Sequence, residues 1–217
     1  MAILYGTWRS RALRVLWLAA EIGLPIEFRR VIQAYRLDDP LADGAPLNTL
    51  SPEFLAVSPA GAVPVLDDGG FILSESLAIN LYLARKYGPP FGPETPQEDA
   101  EMQQWALYGA TSLEEDALAI QLALTGGAPA EDVAEEAARL ARPLAVLNAH
   151  LGRHGHLVGG RFTVADINMA EIVRYAQAHP TLLGAYGALS AWLAACQSRN
   201  AFCAIWAERE KEPVNFA

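Results

Sequence analysis

Cysteine is nearly absent. The 217 residues contain only Cys196 and Cys203, without the Cys-x-x-Cys spacing of a redox couple or a zinc site. A reductase working through its own thiols is therefore excluded, and the composition fits a reducing compartment. The plain reading of both cysteines is as small apolar residues in helices. Basic residues are also in short supply: 16 Lys and Arg stand against 25 Asp and Glu, for a formal net charge of -9. Binding a phosphate backbone needs clustered positive charge, so nucleic acid is not an expected partner. No apolar run approaches the roughly 20 residues of a membrane-spanning helix. Val15 to Ala20, preceded by Arg9, Arg11 and Arg14, faintly mimics a secretory leader, but Glu21 ends it and no small-residue cleavage site follows. The expectation is a soluble, cytoplasmic protein with no membrane partner. A Gly-x-Ser-x-Gly elbow and a phosphate-cradling glycine loop with lysine are both missing, which removes support for hydrolase and nucleotide-binding readings.

What is present is apolar material, 52% of the residues, enough for a sizeable core, and its period changes along the chain. Met1 to Tyr5 reads as a buried strand. From Arg11 to Ile22 the residues Leu13, Leu16, Trp17 and Ala20 follow helical spacing until Gly23 stops it. Ile26 to Ile32 supplies a second strand, and strand–helix–strand order implies a parallel pair. Leu37 to Leu50 is a turn-rich loop, and Ser51 with Pro52 reads as an N-cap and first turn leading into Phe54 and Leu55. Val63 to Asp67 and Phe71 to Leu73 flank Asp68-Gly69-Gly70, a hairpin signal. A helix carrying Leu77, Leu81 and Ala84 follows. The expected domains are 1–86, a linker at 87–96 where four prolines fall within Pro89 to Pro96, and an all-helical 97–217. The helices expected there run over Gln97–Leu124, Glu131–Leu151, Thr163–His179, Leu183–Ser198 and Phe202–Glu210, with a break at Gly126-Gly127.

Three clusters can carry chemistry. Tyr5, Thr7 and Ser10 lie where the first strand turns into the first helix. Helix N-termini favour anions, and a thiolate held there has its pKa lowered; the alternative is that Ser10 is merely an N-cap. In Ser58-Pro59-Ala60-Gly61-Ala62-Val63-Pro64-Val65-Leu66, a proline stands at the entry to a buried strand. A cis Val63-Pro64 bond there would leave the Val63 backbone free to pair with an extended peptide. Glu75-Ser76 opens a helix: the serine and the helix end can hold a carboxylate while the glutamate accepts an ammonium, together an α-amino acid head group. An N-cap with a dipole-favoured acid is the other reading. His150, His154 and His156 lie close together, but loop glycines and the lack of nearby Cys, Asp or Glu argue against a metal, and none is expected.

The three clusters, in this order, resemble the glutathione transferase superfamily over almost the whole chain. The resemblance implies an α/β thioredoxin-like N-terminal domain plus an all-α helical C-terminal domain. Gly6-Thr7-Trp8-Arg9-Ser10 looks like the plant tau-class pattern, among serine-type classes that include theta and beta, and implies that Ser10 is catalytic. Val63-Pro64 matches the family's cis-proline, which binds the cysteinyl backbone of glutathione, and Glu75-Ser76 matches its γ-glutamyl site. Gly160 to Asp166 resembles the family's N-capping box; Thr163 and Asp166 are spaced to satisfy orphan N–H groups reciprocally, a structural role. Glutathione is the implied co-substrate, a homodimer the implied assembly, and Trp8, Tyr108, Ser112, Phe202 and Trp206 the implied surroundings of a small hydrophobic electrophile. Core packing is the competing role for those aromatics. Two departures stand out: Ala62 occupies the place where many members carry Lys or Gln, and the 37–50 loop is long. Tyr5 is the second candidate for activating the thiol, though a strand tyrosine also suits the core. The rival function is a non-catalytic ligand carrier or interaction module of the same fold.

Overall fold

The structure, a computed structural model, describes residues 2–216; the expectations touching Met1 and Ala217 lie outside the described residues. Four strands, β1 (Ala2–Gly6), β2 (Ile26–Arg30), β3 (Val65–Asp68) and β4 (Phe71–Ser74), form one mixed sheet in the order β2-β1-β3-β4. β1 runs parallel to β2 and antiparallel to β3, which pairs antiparallel with β4. The parallel pair is connected by α1 (Ala12–Ile22). That helix buries Leu13, Leu16, Trp17 and Leu18, each leucine contributing about 2 kcal/mol. It ends on Gly23, left-handed at φ 65, and Leu24 N–H closes the turn on Ala19 O at 2.8 Å, as a glycine one residue past a helix should allow. In the hairpin, the loop is Gly69-Gly70, with φ 67 and 94, both positive as a two-residue turn requires.

Several boundaries depart from the periodicity. β2 stops at Arg30, because Ile32 leaves the sheet to bond the 37–50 loop: Ile32 N–H donates to Leu47 O and Thr49 N–H to Ile32 O. Inside that loop the buried Asn48 amide donates to Pro40 O and Pro46 O and accepts from Leu50 N–H, so a turn-rich stretch is tied by one side chain. Ser51 precedes α2 (Pro52–Leu55) but makes no capping bond; its hydroxyl accepts from Asn48 N–H instead. β3 begins at Val65, since Pro64 has no N–H to donate to a ladder.

By compactness the chain divides into Met1–Leu83 with Asn200–Ala217, and Ala84–Arg199. The first unit thus contains the sheet, α1, α2, most of α3 (Ser76–Tyr87) and the last helix α9 (Asn200–Lys211), which packs along α1 through Trp17 and Phe202. The second contains α4 (Pro96–Ser112), α5 (Glu114–Thr125), α6 (Ala134–His154), α7 (Val164–Val173) and α8 (Gly187–Gln197). The helix expected from Gln97 to Leu124 is two helices, broken at the buried Leu113 (φ −129, ψ −44). Glu114, Glu115 and Asp116 open the second, acids that favour a helix start. Past Val173 the chain tightens into a 3-10 turn, Arg174–Ala178, and Leu182–Ala185 forms another before α8. The proline-rich stretch before α4 is held by Arg161, which donates to Pro90 O and Gly92 O and pairs bidentately with Glu98 at 2.7 and 2.8 Å. That arginine holds the Glu98 carboxyl down to about 2.

Candidate functional site

The site begins with a turn. β1 ends at Gly6, where an added Cβ would meet Ala12 Cβ at 2.6 Å, so only glycine lets α1 begin this close to the strand. Thr7 to Ser10 then reverse the chain. Ser10 Oγ donates to Thr7 O at 2.7 Å and accepts from Ala12 N–H at 3.1 Å and Thr7 N–H at 3.4 Å. The hydroxyl therefore ties the turn to the first turn of α1, which carries no acidic side chain. Arg11, not Ser10, stands at the N-cap position and makes no side-chain capping bond, and the helix start has no internal carboxylate. The one proton of the Ser10 hydroxyl points at a backbone carbonyl and becomes available to another acceptor on rotation about the C–O bond.

The sheet register brings the other two clusters to the same end. Tyr5 is paired with Val65, and Val65 with Ser74. Continuing each ladder by one residue sets Pro64 beside Gly6 on one side and beside Glu75 on the other. The Val63-Pro64 bond is cis. Glu75 is the only non-glycine with positive φ among the described residues, at 69. A left-handed glutamate costs about 1 kcal/mol or more and persists where its surroundings impose it. Ser76, buried as the first residue of α3, accepts from Arg14 Nη1 at 3.2 Å, and Asn80 Nδ2 donates to Arg14 O at 3.1 Å. The starts of α1 and α3 are thereby joined through a buried guanidinium. Ala62 is exposed and offers no cation, and its backbone is bonded both ways to the Ser58 hydroxyl.

A mixed four-stranded sheet with a cis-proline at one end, followed by helices, has close counterparts. The family models for the glutathione S-transferase N-terminal domain and C-terminal domain match residues 8–86 and 90–200. The chain belongs to the glutathione S-transferase family. It is 39% identical to glutathione S-transferase 3 of Zea mays over 163 residues, 70% of this chain and 73% of the relative. It is also 38% identical over 167 residues to elongation factor 1-gamma 2 of Oryza sativa subsp. japonica, spanning 76% of this chain but only 37% of that protein. Among solved structures, glutathione S-transferase III in apo form superposes with TM-score 0.79 at 33% identity, covering 98% of each chain. The theta-class glutathione S-transferase of Xanthomonas axonopodis pv. citri with glutathione bound gives 0.75 at 26% identity, over 93% of this chain and 94% of that one.

Within this glutathione S-transferase fold the remaining candidates have differing surroundings. Tyr5 is buried with Val31, Phe54 and Val65, and its hydroxyl accepts from Arg29 Nη1 at 3.2 Å, so its polar end is already partnered. Trp8 packs edge-on against Phe28, centroids 5.1 Å apart. Phe202 is 6% exposed and lies edge-on against Trp17 at 4.9 Å, an interior position in the first unit. Trp206 stacks on Phe202 at 5.3 Å and bonds Glu210. In the helical unit, Tyr108 lies edge-on to Trp105 and donates to Pro143 O at 3.4 Å; burial pushes its hydroxyl pKa up. Ser112 is the half-buried last residue of α4. The capping box of Thr163 and Asp166 is formed. His150 donates to Leu157 O and lies tilted against His154 with centroids 4.6 Å apart, while His156 bonds Asp166 at 3.3 Å.

One set of residues around the Ser10 turn escaped the sequence reading. Glu212, just past α9, accepts from Trp8 N–H at 2.9 Å and Arg9 N–H at 3.1 Å, and pairs with Arg36 at 3.0 Å. Arg36 spends its remaining guanidinium N–H groups on Thr7 Oγ1, Gln33 Oε1, Pro213 O and Val214 O. The ion pair joins positions 176 residues apart, and no local spacing signals such a contact. The odd feature visible in sequence was only an arginine at the mouth of a turn-rich loop.

Proposed function

We propose that this chain is a serine-type glutathione transferase that holds glutathione at the Gly6–Pro64–Glu75 end of its sheet and directs the thiolate at a hydrophobic electrophile. Ser10 donates a hydrogen bond to the sulfur after rotating off Thr7 O, and the acid-free start of α1 adds its positive end. The Val63 backbone pairs with the cysteinyl residue beside the cis-proline, and Ser76 and Glu75 take the γ-glutamyl carboxylate and ammonium. The second substrate is a small hydrophobic electrophile, and Trp8, Phe202 and Trp206 of the first unit supply the aromatic surface for it. In this reading the functional domains are 1–86 and 97–217 with a linker at 87–96, and the protein works as a cytoplasmic homodimer. The observation that carries the proposal is the register, which aligns all three sequence clusters at one sheet end.

The experiment is titration of the purified protein with glutathione by calorimetry, followed by a panel of electrophiles assayed with wild type and Ser10→Ala. Removing one donor from a developing anion costs about 100-fold in rate, so Ser10→Ala is expected to lose that much kcat/KM while still binding the tripeptide. Binding without turnover of any electrophile, or unaltered turnover in Ser10→Ala, overturns it. A second reading, a non-catalytic binding module, is favoured by two observations: the Ser10 proton is engaged by Thr7 O, and relatives named elongation factor 1-gamma share much of the chain.

A further inference from the structure

The turn that carries Ser10 is held from two sides by groups far away in sequence. Thr7, its first residue, donates through its hydroxyl to Gln33 Oε1 at 3.0 Å and accepts from Arg36 Nη1 at 3.1 Å. Its two middle residues, Trp8 and Arg9, present consecutive peptide N–H groups, an arrangement that forms a small concavity for an anion. The Glu212 carboxylate fills it, one oxygen to each N–H. Glu212 and Arg36 side chains are 1% and 5% exposed, so the pair is dry and its bonds are not shared with solvent. The carboxylate itself is kept in place by more than the ion pair. Arg9 Nε donates to Glu212 O at 2.7 Å, Phe216 N–H donates to Arg36 O at 2.9 Å, and the Arg36 guanidinium lies 4.8 Å from the Phe216 ring centre.

We infer that Glu212 is a positioning residue for the thiol chemistry: its carboxylate, locked to Arg36, holds the Trp8–Arg9 peptide so that the Ser10 hydroxyl stands at one fixed place. This rests on the catalytic reading of Ser10. A four-residue turn whose middle amides lack a partner can rotate its central peptide, and that rotation would carry Ser10 with it. Displacement of a catalytic group by about 1 Å is enough to lower rate by orders of magnitude. A hydrogen bond to the charged form is what lowers a pKa, so loss of position at Ser10 must also raise the pKa of the bound thiol. Nothing in the Glu212 contacts touches the places proposed for the γ-glutamyl or cysteinyl backbone, so the affinity for glutathione should change little.

The test compares wild type, Glu212→Ala, Glu212→Gln and Ser10→Ala in the full chain. The readouts are the bound-glutathione thiol titrated by its thiolate ultraviolet band, kcat and KM for one electrophile, and thermal unfolding. Glu212→Ala is expected to lower kcat about tenfold, raise the thiol pKa and leave KM for glutathione within about twofold. Glu212→Gln keeps an acceptor for one amide but loses the charge pair, and should recover part of both effects. Should Glu212→Ala not fold, Glu212→Gln alone decides. A lower melting temperature with wild-type thiol pKa and kcat in a folded Glu212 variant overturns the inference, because the carboxylate is then only structural. If that happens while Ser10→Ala is crippled, the catalytic reading stands and only the role of Glu212 falls. A Ser10→Ala protein with normal thiol pKa and rate overturns both.

Discussion

Two helix starts in this molecule are built in opposite ways. At α7 the first-turn acid Asp166 is fully buried and accepts from Thr163 N–H at 2.9 Å, Leu157 N–H at 3.3 Å and Trp192 Nε1 at 2.8 Å, while Thr163 Oγ1 receives Ala165 N–H. Its positive end is answered by the chain itself. At α1 the first turn has no acid, and its first amide, Ala12 N–H, donates to a serine hydroxyl. The Glu212 carboxylate binds the amides before the helix and is neutralised by Arg36. A helix start closed by its own buried carboxylate serves the fold, whereas one left without an acid can serve an incoming anion. Sequence spacing makes both look like N-caps, and the difference lies in what fills the site.

The comparison breaks most visibly at α7. Asp166→Ala strips several buried donors of their acceptor at once, each costing about 1–3 kcal/mol, so denaturant unfolding should show a loss of about 3 kcal/mol or more. A loss under about 1 kcal/mol would mean that the buried carboxylate is not holding this helix. A sharper test gives α1 the acid that α7 has. Arg11→Glu places a carboxylate at an exposed position where helix-end charge effects are worth about 1 kcal/mol. The bound thiol should titrate higher and kcat/KM near neutral pH should fall about fivefold, with little change in stability. An unmoved thiol would show that the helix end contributes nothing to ionisation. The smallest effect concerns His156 beside the α7 cap. Its hydrogen bond to Asp166 raises its pKa, against burial and the charge of Arg199. A raised folded value means the stabilisation is complete below about pH 6.5 and is lost as pH rises through the folded value. Urea midpoints of wild type should therefore fall relative to His156→Gln between about pH 5.5 and about pH 8.5. Parallel midpoints across that range would remove His156 from the cap.

The elements and motifs carried by short spacing were legible. The period of α1, Gly23 as its stop, the glycine pair in the hairpin and the Thr163–Asp166 box each depend on residues within a turn or two of one another, so local rules suffice. The break at Leu113 was not, because apolar spacing runs through it; the acids of Glu114 to Asp116 were the overlooked sign. Ser51 misled for a related reason. A serine before Pro52 has the right neighbours for a cap, yet its hydroxyl had a competing donor in Asn48. At the candidate site the three clusters could be named one by one, but their alignment came from the register of β1, β3 and β4, a property of pairing between distant segments.

Residue types and local order were enough to specify most of the strands, helices and turns, though not all of their ends, and to show that the first turn of α1 has no acid. The left-handed Glu75, the direction of the Ser10 proton and the grip of Glu212 on Trp8 and Arg9 needed the folded chain. Each depends on a hydrogen bond or ladder whose partners are brought together only when the sheet closes and the last helix packs against α1, and no periodicity along a chain encodes which distant donor an oxygen will meet.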